Sequence, residues 1–283
     1  MLAWYLYDEP DVWSIRPEIV QVKNQKTKSA LNAPTTLVIG QGKTKYNYYN
    51  IADILMVDWY PVPHLPLVSF GEQLSYARQE LDKDKELWGV VQIFDWKDFK
   101  QFRPDDDRIG RYPTYEEISF MSWHGILEGA TGLFYFAISI DGKYIKKQAP
   151  KTWKGVKKTL QEIKKFSPII EEGAVVENVF TAPQDTKART WLYQGKFYTL
   201  LLNMSDKKTI NLPSVRNRKV LFGDKKVFTY NVSLKGINVW HNAKIELSAF
   251  KTQEGMPLRD LSKIDALSFN SESKFLINNV LWI

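Results

Sequence analysis

Residues Met1–Trp13 read MLAWYLYDEPDVW, and the reading of this stretch decides the fold. Leu2–Tyr7 is almost continuous in apolar and aromatic side chains, the pattern of a strand covered on both faces. Asp8, Glu9 and Pro10 end it, because two carboxylates and a proline cannot continue a buried ladder. A chain that opens on a buried strand, with its acids at the strand's end, reads as a sheet entered part-way.

Working outward, four more apolar runs share this character: Thr35–Ile39, Ile54–Val57, Trp88–Phe94 and Gly132–Ile138. The segments between them carry helical patterns. One runs from Arg16 to Leu31 behind a Ser14 cap, and one from Phe70 to Leu81 behind Ser69. A third runs from Thr114 to Glu128 and opens on TYEE, where Thr114 and Glu117 form a capping box. Glu116 and Glu117 are therefore helix-start residues. Strands alternating with helices predict an α/β domain with a parallel sheet. A closed (β/α)₈ barrel takes eight strands and roughly 250 residues. Residues 1–167 offer five strands, so the expectation is a TIM-barrel-like domain lacking its first three βα units. An open, doubly wound five-stranded sheet is the competing reading.

After Pro168 the pattern changes to alternation. ARTWLYQGKFYTLLLNMSDKKTINLP (188–213) alternates, turns at Gln194-Gly195 and alternates again, the signature of a hairpin. Residues 219–234 and 236–247 continue in that style, and FLINNVLWI (275–283) reads as one more strand. Residues 168–283 are thus expected to form an all-β sandwich domain.

Composition excludes several classes. There is no cysteine, which removes disulfides, thiolate metal sites and cysteine nucleophiles. The net charge of +7 comes from dispersed lysines. The densest run, between Lys143 and Lys165, places Trp153, Val156, Leu160 and Ile163 at helical spacing and reads as a solvated helix face. With no arginine-aromatic motif, a nucleic-acid partner is not expected. No run reaches transmembrane length, and the first ten residues lack the basic lead of a signal peptide. Three dispersed histidines, His64, His124 and His241, do not make a zinc site. Gly42-Lys43-Thr44 has the tail of a phosphate loop, but Leu37 stands where that motif needs glycine and no helix start follows. Asn203-Met-Ser205 and Asn231-Val-Ser233 match the glycosylation triplet, which recurs by chance.

WYLYDEPD (Trp4–Asp11) resembles the end of the fourth barrel strand in retaining glycoside hydrolases of the large (β/α)₈ clan that includes β-galactosidases and cellulases. It is similar in particular to the "DEP" variant of glycosyl hydrolases that end in a β-sandwich. In the same comparison ADILMVDWYPVP resembles the sixth strand, LWGVVQIFDW the seventh, and YPTYEEISFMSWHGILEGATGLFYF the helix and strand of the eighth unit. The resemblance implies a glycosidase acting on an oligo- or polysaccharide, with Glu9 as general acid/base and no cofactor. Trp4, Tyr5, Tyr7 and Trp13 surround Glu9 in sequence and suit the raised pKa that a protonated acid needs.

Glycoside hydrolysis needs a second carboxyl group. The clan's nucleophile is a glutamate at the seventh strand end, where this chain carries Gln92, which cannot attack a glycosidic carbon. Asp58, at the sixth strand end, is the second candidate and Asp95 the third. Asp8 replaces the clan's asparagine, which commonly holds the sugar 2-hydroxyl. Trp59, Tyr60, Trp96 and Tyr135 are candidate platforms for sugar faces, and His64 for a sugar hydroxyl. Two alternatives stay open at this point: a catalytically inactive carbohydrate-binding barrel, for which Gln92 is the argument, and a scaffold for the β-domain. Enzymes of this type are often exported, and a chain shortened at its N-terminus would have lost its signal. Such a chain needs its missing N-terminal half, or a partner, to cover the open sheet edge.

Overall fold

Five parallel strands form one sheet in the computed structural model, which describes residues 3–99, 110–178, 181–182, 184–205, 210–211, 227–228, 266–267, 276–277 and 280–282. They are β1 (Trp4–Tyr5), β2 (Thr35–Ile39), β3 (Ile54–Val57), β4 (Glu86–Gln92) and β5 (Gly132–Phe136), in the order β1-β2-β3-β4-β5. Neighbours in sequence are neighbours in the sheet, so the chain winds one way throughout. A doubly wound sheet reverses its strand order at a switch point. This sheet has no reversal, and the competing reading falls.

Packing follows the same asymmetry. Helices α1 (Pro17–Ala30), α2 (Ser69–Glu80) and α3 (Tyr115–Leu127) contribute Val20, Phe70, Leu74, Ile118 and Met121 to one core, with Leu37, Ile39, Leu55, Val57 and Val91 of the sheet. The alternate residues Val38, Ile54, Met56 and Val90 form a separate cluster to which no helix contributes. One face is covered by helices and the other is concave and lined by the sheet's own side chains. That is a half-barrel.

The incomplete barrel corrects one expectation. Leu2–Tyr7 was expected as buried sheet, yet only Trp4 and Tyr5 join the ladder and they are 38% and 52% exposed. β1 is an edge strand and its side chains stay largely exposed; Leu6, which packs among the helices, is buried. Phe134 on the opposite edge strand is 49% exposed for the same reason. β4 also starts two residues before the expected Trp88 and ends at Gln92.

Helix starts agree in part. α3 has the predicted capping box, with Thr114 Oγ1 accepting from the Glu117 amide and Glu117 reaching back to the Thr114 amide at 2.9 Å. α1 starts behind Arg16 with Pro17 in its first turn, not behind Ser14. Ser14 has φ +55 and lies in the turn before the helix. Between β2 and β3 there is no helix. Tyr48 and Tyr49 fill that position, with the Tyr48 hydroxyl bonded to the Ile15 carbonyl at 2.5 Å. The Gly42-Lys43-Thr44 segment accordingly opens no helix, as expected.

After β5 come a two-stranded hairpin, β6 (Ser139–Ile140) and β7 (Lys143–Tyr144), and helices α4 (Ile145–Gln148) and α5 (Pro150–Glu172). The lysine-rich run is helical, but its buried stripe is Thr152, Val156, Thr159 and Phe166. Leu160 stands 44% exposed, and Trp153 is only partly buried.

The chain divides into two compact units, residues 1–167 and 168–283. In the second, β8 (Ala174–Val176), β9 (Thr186–Tyr193), β10 (Lys196–Asn203) and β15 (Val280–Trp282) form an antiparallel sheet in the order β15-β10-β9-β8. Gln194 and Gly195, both with positive φ, close the β9–β10 hairpin where predicted, in the backbone hand that a two-residue turn prefers. Four two-residue strands, β11 (Ile210–Asn211), β12 (Val227–Phe228), β13 (Ala266–Leu267) and β14 (Leu276–Ile277), form another sheet. FLINNVLWI thus supplies two strands, not one. Residues 219–226, 229–234 and 236–247, with Asn231 and His241, lie outside the described residues. Asn203 is buried and accepts hydrogen bonds from Ser205 in a local turn.

The α2–α3 contact depends on Gly71. A Cβ there would come within 2.3–2.4 Å of the His124 ring, which is fully buried. Gly→Ala inside a helix gains about 1 kcal/mol in propensity, whereas forcing extra volume into a packed core costs about 1–3 kcal/mol. The ring has nowhere to go, so packing wins. Gly71→Ala is expected to lower the urea midpoint, and adding His124→Ala is expected to recover part of that loss.

Candidate active site

The parallel ladder brings the ends of β1, β2 and β3 to one rim. The Glu9 amide donates to the Val38 carbonyl at 3.0 Å and the Asp58 amide to the Ile39 carbonyl at 3.2 Å. Two residues far apart in sequence thus leave adjacent ladder positions. Both line one cavity of about 910 Å³ that opens on the concave face of the half-barrel.

Glu9 occupies the left-handed region, φ +45, which a non-glycine residue rarely adopts. Two things hold it there. Its carbonyl accepts the amides of Val12 and Trp13 in a tight turn. Asp11, two residues on, accepts the Gly40 and Gln41 amides, each at 3.0 Å, which ties the loop to the end of β2. Gly40 lies directly beneath; a Cβ on it would be 2.8 Å from Val12 and 3.2 Å from the Glu9 carboxyl. A backbone outlier of this kind is characteristic of functional sites.

Asp58 is 9% exposed. Its Oδ2 accepts the Tyr60 hydroxyl at 3.3 Å, while Oδ1 is buried with no hydrogen-bond partner among the described residues. Burial, the charge of Glu9 and the charge of Asp8 together push its carboxyl up to about 9, against a smaller opposing effect of the Tyr60 hydrogen bond. Asp8 is exposed and accepts the Tyr5 hydroxyl at 2.5 Å. Burial and that hydrogen bond raise Tyr5 far above the usual phenol range. Burial and the neighbouring carboxylates do the same to Tyr60. Among the described residues that line the cavity there is no lysine or arginine.

Aromatic side chains form the opposite wall. Tyr60 stacks on Phe136 at 5.9 Å and meets Phe94 and Trp96 edge-on at 4.9 and 6.2 Å, with Phe99 packed behind them. Trp59 lines the cavity while its indole donates to Ser69 at 2.8 Å, and exposed His64 stands on the loop after β3. Gly132 has no side chain where the Trp88 indole lies; a Cβ there would come within 2.6 Å of it.

The structure thus gathers Asp8, Glu9, Asp58, Trp59, Tyr60, His64 and Trp96 around one cavity and places the other three expected residues elsewhere. Gln92 is fully buried and clamps a backbone peptide: its Oε1 accepts the Val62 amide at 2.9 Å and its Nε2 donates to the Val62 carbonyl at 2.8 Å. An amide pairs with a peptide on both sides, as a carboxylate cannot. Asp95 Oδ1 accepts the Lys97 amide at 2.9 Å and caps the short 3₁₀ turn Trp96–Phe99, with Gly110 packed against the same oxygen. Tyr135 is bonded to Ser122 of α3 at 3.0 Å and packs with the helix-side core. Phe134 and Phe136, its neighbours in GLFYF, line the cavity instead. Strand alternation was the signal for this, since adjacent residues cannot share a face. Tyr5, Met56 and Trp88 were likewise not expected in the lining.

Among the described residues no cluster of acids and histidines is arranged to hold a metal ion, and no helix is long and apolar enough to cross a membrane.

No protein-family model matches the chain, and no curated protein matches it in sequence. Solved structures that share part of its shape include xylanases and alpha-amylases. A GH30 endoxylanase from Clostridium papyrosolvens matches at 12% identity and TM-score 0.44, over 75% of this chain and 53% of that one. The alpha-amylase from H. orenii matches at 7% identity and TM-score 0.45, over 93% and 55%. AmyP in complex with maltose matches at 7% identity and TM-score 0.46, over 100% and 63%. The chain spans little more than half the length of these proteins.

Asp58 makes stability depend on pH. A carboxyl that stays protonated to high pH in the folded state favours folding below its unfolded pKa of about 3.9, and that advantage is lost as pH rises toward the folded value. Asp58→Asn cannot ionise. The variant is therefore expected to match the parent in thermal midpoint at pH 4 and to exceed it at pH 8. The gain is about 2–4 °C for each kcal/mol recovered in a protein of this size, and calorimetry at the two pH values checks it.

Proposed function

We propose that the chain is a glycoside hydrolase, or a portion of one, cleaving O-glycosidic bonds of an oligo- or polysaccharide with Glu9 and Asp58 as its carboxyl pair. The observation that carries this reading is that the two acids leave the ends of β1 and β3, on either side of β2, and line one cavity walled by aromatic rings. Sugar hydrolysis needs two carboxyl groups facing a shared site, and pyranose faces pack on flat apolar rings. Glu9, the acid/base residue expected from the DEP stretch, and Asp58 divide the acid and base work. Trp59, Tyr60 and Trp96 are the sugar platforms, and Asp8 and His64 bind hydroxyls. The burial of Gln92 against Val62 favours this over the inactive binding barrel, because it gives Gln92 a structural reason to be an amide.

Residues 1–167 are the catalytic unit in this reading and 168–283 a β-sandwich domain. Three further parallel strands, from a longer chain or a partner, close the barrel over Tyr5, Met56, Trp88 and Phe134.

Glu9→Gln is expected to lower turnover of a substrate glycoside by about 10²–10⁴-fold while sparing sugar affinity, the usual range for a lost proton-transfer group. If the parent binds oligosaccharide but releases product from no glycoside, the binding-barrel reading replaces this one. Barrel closure has its own check. Amides at the β1 and β5 edges are expected to exchange rapidly in the isolated chain and to become protected when the completing segment is present.

A further inference from the structure

We propose that the lysine face running from β7 along α5 is a docking surface for an anionic polysaccharide. The proposal deepens the glycoside-hydrolase reading and rests on it for the polymer being a sugar; the charge of that polymer is argued from the surface itself.

Positive charge is concentrated here. Residues 142–170 hold nine lysines against one acid, Glu162, a surplus larger than the +7 of the whole chain. Cations elsewhere are balanced by acids. Lys143 lies in β7 and Lys146 and Lys147 in α4, and all three are exposed. On α5, Lys151, Lys154, Lys157, Lys158, Lys164 and Lys165 are exposed at helical intervals, so they share one face about 21 Å long. The opposite side of the helix is buried, and the acid goes with it: Glu162 is buried and accepts the Tyr115 hydroxyl at 2.8 Å. None of the nine lysines forms an ion pair among the described residues. Lys158 and Lys165 lie over the rings of Tyr115 and Phe166 instead.

Such a face carries its own repulsion. Like charges three or four positions apart destabilise a helix, and neighbouring turns lie well within a Debye length of about 8 Å. A row of anions laid along the face removes that repulsion.

The surroundings select an acidic polysaccharide over other polyanions. Ile140 of β6, the partner of Lys143 across the hairpin, packs in one cluster with Phe94, Tyr60, Trp96 and Phe136 of the cavity wall. The lysine face therefore begins behind the aromatic wall of the candidate site. It continues onto α5, whose start is tied to the start of α3 by the Thr152 hydroxyl donating to the Pro113 carbonyl at 3.1 Å. Exposed Tyr144, among the first lysines, offers a flat ring to a sugar. A helix that lies in a membrane surface needs an apolar face to insert, and the Val156–Phe166 side of α5 is buried in the protein's own core. Nucleic-acid faces use arginine forks and rows of exposed rings, and residues 142–170 contain no arginine.

Binding isotherms of the full chain test the proposal, with polygalacturonate and dextran sulfate as acidic probes and dextran as the uncharged one. The acidic polymers are expected to bind, more weakly as salt is raised, and dextran is expected to bind far less. Lys151→Glu, Lys154→Glu and Lys157→Glu together are expected to weaken acidic-polymer binding by about tenfold or more. Glutamine at the same three positions is expected to give a smaller loss, which guards against a reversal that fails to fold. The same reversal at exposed Lys26, Lys83 and Lys196 is expected to change binding by about twofold or less. Equal losses in the two triple variants, equal binding of dextran, or no binding by the parent overturns the proposal. So does tighter binding to phosphatidylglycerol vesicles or single-stranded DNA than to either acidic polysaccharide at the same salt. Turnover is not read, so the two readings fail separately. A parent that binds acidic polysaccharide through α5 but cleaves no glycoside ends the hydrolase reading and leaves the docking surface standing.

Discussion

The parallel hydrogen-bond ladder from β1 to β3 is the constraint on which the rest depends. Register in a parallel pair is fixed by which residues exchange amides and carbonyls, and here Tyr5 pairs with Thr36, Thr36 with Ile54, and Val38 with Met56. That register ends the strands together. It therefore delivers Glu9 and Asp58, 49 positions apart in the chain, to one rim on either side of β2. A slip of one residue would turn every side chain of the slipped strand to the other face and send its acid into the helix-side core. The cost of burying a charge there is what keeps the register unique.

The same ladder explains why Asp58 is perturbed. Strand ends that finish level leave their side chains crowded at one mouth, and the sheet's concave face surrounds that mouth with apolar rings. Tyr60 serves both features. Its ring belongs to the aromatic wall with Phe94 and Phe136, and its hydroxyl supports Asp58. The polar and apolar parts of the site are thus one construction. Gln92 acts a step further back: by pairing with both sides of the Val62 peptide it fixes the loop that carries His64 and Leu65 to the cavity.

Most of the parallel sheet was legible because its strands are short continuous apolar runs with a physical reason to be so. Thr35–Ile39 and Ile54–Val57 have the bounds expected from burial alone. The capping box at Thr114 and the turn at Gln194-Gly195 were legible because a few atoms decide each. β1 was not, because burial of Trp4 and Tyr5 depends on neighbours that their own sequence does not contain. The lysine-rich helix was read with its buried stripe rotated, because Thr152 and Thr159 pack inward while Leu160 does not. At the site, the acids and the residues adjoining them in sequence were recoverable. The misplaced residues have local explanations. Asp95 is held by amides in its own turn, and Tyr135 lies on the face that alternation assigns to the helices.

A half-barrel also reframes what the cavity is. Its upper part, around Glu9, Asp58 and the Tyr60–Phe136 stack, mixes carboxyl groups with aromatic rings. Its lower part, around Ala3, Thr36, Trp88 and Phe134, is lined by the inward positions that fill the interior of a closed barrel. Such interiors are packed with side chains, so the lower part corresponds to the core of a closed barrel and the upper part to the pocket at its rim.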